Sequence, residues 1–188
     1  MIVLISAVSG TGKTLMAQKL LEKYHISYLS IDHLKMGLYR GDKNCGFTPL
    51  DSTEFIGDKL WPILKGIIMT NIENEQHIII EGSYILPHYM KGFDINYSEK
   101  IIPVFLGFST NYIQENFETK IVKHRNAVEL RNWPEERTIK ELIKEHKEFK
   151  TICLQVGVRD FEIENDYDKE ILNVYDYIEA EIRRIEPL

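Results

Sequence analysis

The sequence predicts an α/β protein organised on a parallel sheet, and three observations predict it. The chain opens with an apolar run, Met1-Ile2-Val3-Leu4-Ile5, which ends in Ser6-Ala7-Val8-Ser9-Gly10-Thr11-Gly12-Lys13-Thr14 and passes into a helical pattern with Leu15, Met16, Ala17, Leu20 and Leu21. Short apolar strands then alternate with helical stripes along the rest of the chain. Two of these strands end in a carboxylate, at Asp32 and at Glu81. The carboxyl ends of parallel strands are where such sheets bind their ligands.

The first strand, the turn and the helix start place several backbone N–H groups around one small concavity. Such a nest carries partial positive charge and suits a phosphate chain. Lys13 would add a full charge reaching the outer phosphates, and Thr14 a hydroxyl for Mg²⁺. The usual phosphate-loop pattern begins with glycine, whereas this chain has Ala7 there and keeps Gly10 and Gly12 for the tight turning.

The remaining elements follow in order. Residues Ile26 to Asp32 read as a second short strand, and Leu34 to Tyr39 as a short helix bearing Lys35, followed by Arg40. The stretch Gly41 to Pro49 is turn-rich and reads as a loop. Asp51-Ser52-Thr53-Glu54 opens a helix with core positions at Phe55, Ile56, Leu60, Trp61, Leu64, Ile67, Ile68 and Ile72. Pro62 should kink that helix unless the helix begins there, and Trp61 reads as core packing more than as an acceptor-pocket wall. His77 to Gly82 is a continuous apolar strand, as a central parallel strand should be. Lys100 to Leu106 is the fourth strand, with Pro103 removing one ladder donor.

A helix from about Asn111 to Lys123 leads to His124-Arg125 and then Arg131-Asn132-Trp133-Pro134. Pro134 with Glu135 and Glu136 is expected to open a long helix whose stripe runs from Ile139 through His146 to Val156, ending at Gly157. His146 lies on that stripe, which favours a buried or edge histidine over a ligand. Phe161 to Glu164 is a short fifth strand, and Asn165-Asp166 caps a last helix with a stripe from Ile171 to Ile185.

Composition bounds the function. At 188 residues, 44% hydrophobic and 28% charged, the chain is expected to be one soluble domain. The net charge of −6 disfavours nucleic acid or an anionic membrane as partner. Cys45 and Cys153 have no metal-type spacing and read as free thiols in a reducing, cytoplasmic setting. The apolar start lacks a basic leader and runs directly into the phosphate loop, so a signal peptide is not expected. Charge is uneven along the chain. Residues 120–150 hold nine Lys and Arg against six Glu, a balance of +3, whereas residues 160–188 hold ten acids against three bases. A basic segment in an acidic protein is what a lid over polyphosphate needs, although a solvated helix face accounts for most of those lysines.

Three features together resemble the P-loop kinases of small molecules, the group of adenylate, shikimate and gluconate kinases, zeta toxins and chloramphenicol phosphotransferase. They are the loop Ala7–Thr14, Ser30-Ile31-Asp32 after the first helix, and Ile79-Ile80-Glu81-Gly82 with Pro87 shortly after. The pairing of Leu29–Leu34 with Ile79–Ser83 looks closest to 2-phosphoglycerate kinase-like proteins. The resemblance implies a P-loop NTPase fold in three α/β/α layers, a five-stranded parallel sheet in the order 2-3-1-4-5, and a helical lid between strands four and five. It implies one domain over residues 1–188, with the acceptor region at about 33–75 and the lid region at about 111–157. It further implies ATP and Mg²⁺ as cofactors and a small-molecule acceptor as partner; the acceptor's identity and the oligomeric state are left open.

The same resemblance suggests roles. Ser9, Gly10, Thr11, Gly12, Lys13, Thr14 and Leu15 would bind the nucleotide, with Lys13 bridging its β- and γ-phosphates. Thr14 would ligate Mg²⁺, with Asp32 or Glu81 holding the metal's waters. Asp32 would also orient, and deprotonate, the acceptor hydroxyl. Lys35 and Arg40 lie where such kinases bind an acidic acceptor; each is either that contact or a solvated helix charge. Arg125 and Arg131 are the expected lid arginines, with Arg137 ranked lower because it falls inside the expected long helix. The competing readings are a non-catalytic ATP-binding regulatory module and a zeta-toxin-like sugar-nucleotide kinase. A GTPase is disfavoured because no Asn-Lys-x-Asp guanine reader is present.

Overall fold

In the computed structural model, residues 1–124, 126, 128 and 137–186 are described. Five strands, β1 (Ile2–Ala7), β2 (Tyr28–Ser30), β3 (Ile78–Glu81), β4 (Ile101–Phe108) and β5 (Asp160–Ile163), form one sheet in the order β2-β3-β1-β4-β5. Every neighbouring pair is parallel. All five carboxyl ends therefore lie along one edge, and this is the expected topology.

Alternation along the strands builds the layers. Val3, Ile5 and Ala7 of β1 and Ile102, Val104, Leu106 and Phe108 of β4 face one core, while Ile2, Leu4 and Ile80 face the other. The first core is closed by α1 (Lys13–Tyr24), α5 (Thr110–Asn116), α6 (Ile139–Val156) and α7 (Tyr167–Ile185). The second is closed mainly by α3 (Thr53–Glu73), through Ile56, Leu60, Leu64, Ile68 and Ile72, with Ile31 of α2 (Ile31–Gly41) beside them. A parallel sheet needs both faces covered, because the crossovers that connect its strands are helices. Trp61 packs against this second core and stacks on Tyr89 at 4.3 Å between ring centroids.

Several expected boundaries move. The second strand stops at Ser30, and Ile31-Asp32 already belong to α2, so Asp32 sits in a helix's first turn, where a negative charge meets the positive end of the helix dipole. Helix α3 starts at Thr53, with the Ser52 hydroxyl accepting from Phe55 N–H, and runs through Pro62. Between β3 and β4 lie a 3₁₀ stretch (Pro87–Gly92) and the short α4 (Ile95–Ser98). Pro103 is tolerated in β4 because pairing with β5 begins only at Phe105. The helix expected over 111–123 is regular only to Asn116 and then widens into a π-helical turn over Phe117–Val122.

The long helix begins at Ile139, later than expected from Pro134. Its N-cap is Thr138, whose hydroxyl accepts from Glu141 N–H at 3.2 Å while the Glu141 carboxylate accepts from Thr138 N–H at 2.7 Å. This reciprocal box sets the helix start at Ile139, and it leaves Arg137 ahead of the helix. Helix α6 ends at Gly157 as expected. No helix among the described residues is long and apolar enough to cross a membrane.

Candidate functional site

The site lies on the sheet edge where β1, β3, β4 and β5 end. The loop after β1 climbs into α1 with Gly10 and Gly12 both at positive φ, and the first amides of α1 have no acceptor within the helix. Thr11 and Lys13 are buried, and the Lys13 ammonium donates to the Val8 carbonyl at 3.5 Å. The Thr11 hydroxyl donates to the same carbonyl at 2.9 Å.

Gly10, Thr11, Gly12, Lys13, Thr14 and Leu15 line a cavity of about 280 Å³. Its far wall is Phe108, Tyr112, Lys120, Ile121, His124, Val128, Tyr167 and Asp168. The widened π turn is what carries Lys120 and Ile121 there. Ser9 is outside that lining, but its carbonyl accepts from the Arg137 guanidinium at 3.4 Å. Arg137 also pairs with Glu145 at 2.9 Å. A glycine-rich loop at a helix start, a buried lysine and an aromatic-walled cavity together suit a polyphosphate bearing a planar base.

Glu81 ends β3 and is 1% exposed. Its Oε2 accepts from the Thr14 hydroxyl at 3.4 Å. This hydroxyl–carboxylate pair at the mouth of the phosphate loop is the donor set that a hard, oxygen-seeking divalent cation takes alongside phosphate oxygens and water. Among the described residues no group of three or more His, Cys, Asp or Glu forms a metal cage, so a cation here would depend on phosphate and water for its remaining ligands.

Asp32 lies on the neighbouring element. Ser30 is the register partner of Glu81, and the chain turns into α2 directly after it. The close approach depends on Gly82, where a Cβ would meet the Ile31 Cβ at 2.8 Å. The Asp32 side chain is 47% exposed and pairs with the Lys35 ammonium at 2.8 Å. Lys35, only 11% exposed, donates also to the Tyr84 hydroxyl at 2.7 Å and lies over that ring at 4.8 Å. Burial opposes its charge, but the bonds to Asp32 and Tyr84 outweigh burial and hold its pKa above the ordinary lysine value. Arg40 is exposed eight residues along α2, about 12 Å from Asp32 along the axis, and the two do not form one constellation.

Arg125 and Arg131 lie outside the described residues. Among the arginine candidates, Arg137 is the one described at the phosphate loop, and the signal that locates it is the Thr138–Glu141 box, which starts the helix just after it. Tyr84 and Tyr167 are not singled out by the sequence. Tyr84 lies three residues past the end of β3, and Tyr167 lies four past the end of β5, as the first residue of α7.

Beneath the cavity, His146 is 4% exposed and stacks on Phe108. Its Nδ1 accepts from Phe108 N–H at 2.9 Å, so the ring is neutral with its hydrogen on Nε2. Burial, reinforced by the charges of Arg137 and Lys13, pushes its pKa down to about 3. It is the buried histidine expected from its stripe.

No protein-family model matches the chain, and no curated protein sequence does. Solved structures do match in fold. A gluconokinase from Sinorhizobium meliloti superposes with a TM-score of 0.55 at 16% identity, covering 98% of this chain and 93% of that one. Shikimate kinase from Aquifex aeolicus gives 0.55 at 12% identity, covering 96% and 97%. A sugar kinase from Janibacter gives 0.51 at 14%, covering 95% and 94%. At such identities the likeness is one of architecture, and it spans nearly the whole of each chain. The chain therefore has the fold of the P-loop small-molecule kinases.

Proposed function

We infer that this chain is a kinase that transfers the γ-phosphoryl group of Mg-ATP to a hydroxyl of a small molecule. The observation that carries the reading is the meeting of the Thr14 hydroxyl and the Glu81 carboxylate at the phosphate loop, with Asp32 presented from the adjacent helix start. Phosphoryl transfer asks mostly for positioning and charge neutralisation, and these groups supply both. Ser9 to Leu15 cradle the phosphates. Thr14 and Glu81 would hold Mg²⁺ and its waters, and the metal would supply neutralisation of phosphate charge. Asp32 orients the acceptor hydroxyl and takes its proton.

Lys35 is already committed to Asp32 and Tyr84, so its role here is to hold that carboxylate in place. Arg40 stays a candidate acceptor contact at the far end of α2. Arg137 joins Arg125 and Arg131 as a cation for the transferring group, because it reaches the loop at Ser9. Residues 1–188 act as one domain, with the acceptor region over 33–75 and the lid over 111–157. The aromatic cavity takes the base. The fold neighbours include proteins named gluconokinase, shikimate kinase and sugar kinase, which supports a small hydroxyl-bearing acceptor. 2-Phosphoglycerate is the first to try, and a sugar nucleotide the second.

Incubation with Mg-ATP and a metabolite panel, followed by ³¹P NMR, tests the reading. A phosphorylated product is expected with one acceptor class, and Asp32→Asn should lower that transfer by about 100-fold or more while leaving Mg-ADP affinity within about twofold. Tight ATP binding with no product from any acceptor, and ATP-dependent partner binding that survives Asp32→Asn, would instead identify a regulatory module.

A further inference from the structure

Side chains hold the backbone of the phosphate loop in place. Three of its carbonyls receive donors from side chains: Val8 from Thr11 and Lys13, Ser9 from Arg137, and Thr11 from the Tyr167 hydroxyl at 3.1 Å. In a planar trans peptide the carbonyl of one residue and the N–H of the next point in opposite directions. Holding the Thr11 carbonyl on the Tyr167 hydroxyl therefore fixes the direction of Gly12 N–H, on the opposite side of that peptide.

Tyr167 also explains why position 12 is glycine. A Cβ on Gly12 would overlap the Tyr167 hydroxyl, and the residue sits at φ +91°, a conformation that L side chains resist. The tyrosine is itself firmly placed. It is the first residue of α7, Asp166 caps that helix, and the Glu170 carboxylate accepts from the N–H groups of Glu164, Asn165 and Asp166 at 2.7, 2.8 and 2.7 Å. Burial raises the phenol's pKa, so the hydroxyl remains a donor throughout the physiological range.

We propose that Tyr167 is a positioning residue for phosphate binding: its hydroxyl holds the Thr11–Gly12 peptide so that Gly12 N–H faces the bound polyphosphate. The inference rests on the nucleotide reading above. It differs from a base-contact role, which a tyrosine lining the same cavity would otherwise suggest, because the hydroxyl is directed at the loop backbone.

Calorimetry with three probes separates the roles, comparing wild type with Tyr167→Phe, which keeps the ring. Magnesium pyrophosphate and Mg-ADP should both weaken by the same factor, about five- to tenfold, as for the loss of one preorganising hydrogen bond, and adenosine affinity should not change. Weakening confined to adenosine and Mg-ADP would overturn the inference in favour of base contact. Unchanged affinity for all three would overturn it outright. A wild-type protein that binds neither pyrophosphate nor Mg-ADP overturns the nucleotide reading and this inference with it.

Discussion

The two carboxylates at the mouth of the site are built differently. Glu81 closes a central strand, is 1% exposed, and meets the Thr14 hydroxyl. Asp32 stands in the first turn of a helix, is 47% exposed, and leans on a lysine anchored by a tyrosine. The first belongs to the rigid sheet and the loop that follows β1; the second belongs to side chains on α2 and on the segment after β3. A carboxylate held by a central strand keeps its place with or without ligand, whereas one held by an ion pair keeps it only while the pair lasts. On the proposed reading, the donor half of the site is thus set by backbone, and the acceptor half by side chains.

Replacing the cation on each side tests that contrast. Lys13→Met should give the largest effect, raising the dissociation constant for Mg-ADP by about 100-fold, because on the proposed reading it removes charge-assisted bonds to phosphate in a desolvated site. The melting temperature should change little, since methionine fills the lysine stem's volume. Calorimetry with the purified variant checks the affinity, and an unchanged value would remove the loop from nucleotide binding altogether.

Lys35→Met should do the reverse. Mg-ADP affinity is expected to stay within about twofold while phosphoryl transfer falls about tenfold or more, because Asp32 loses the partner that orients it. The loss of fold stability should be under about 1 kcal/mol, because the freed Asp32 carboxylate is half exposed and recovers water. Steady-state kinetics with an acceptor found by ³¹P NMR would check this. A rise in KM for anionic acceptors alone, with kcat intact, would make Lys35 an acceptor contact and erase the contrast.

The same contrast explains what could be read from the chain in advance. The phosphate loop and the Glu81 strand end rest on local patterns of strand, turn and helix, and the resemblance to small-molecule kinases, which implied the sheet order, rests on those same local stretches. Tyr84, Tyr167 and Arg137 matter through contacts that span 49, 156 and 128 positions. No local period marks such a contact. Arg137 was partly accessible, because a capping box is itself a local motif, but the proline four residues earlier drew the helix start away from it. Asp32 was found as a residue and misplaced as an element, since a strand that ends one residue before a helix leaves no turn signal between them.

The smallest expected effect concerns His146, which sits beneath the cavity against Phe108 with its charge suppressed. In the unfolded chain its imidazole protonates near pH 6.5, whereas in the fold it stays neutral down to about 3. Between these values the unfolded state binds the extra proton, so this residue's contribution to stability is complete above pH 6.5 and declines as the pH falls toward 3. The slope is at most about 1.4 kcal/mol per pH unit. His146→Gln keeps an acceptor for Phe108 N–H and removes the titration. It should be less stable than wild type at pH 7.5, by about 1 kcal/mol, and lowering the pH to 5 should shift the difference by up to about 2 kcal/mol in the variant's favour, enough to reverse its sign. Urea midpoints at the two pH values measure both quantities. A gap of constant size would mean that His146 titrates alike in both states, and that the wall behind Phe108 admits water.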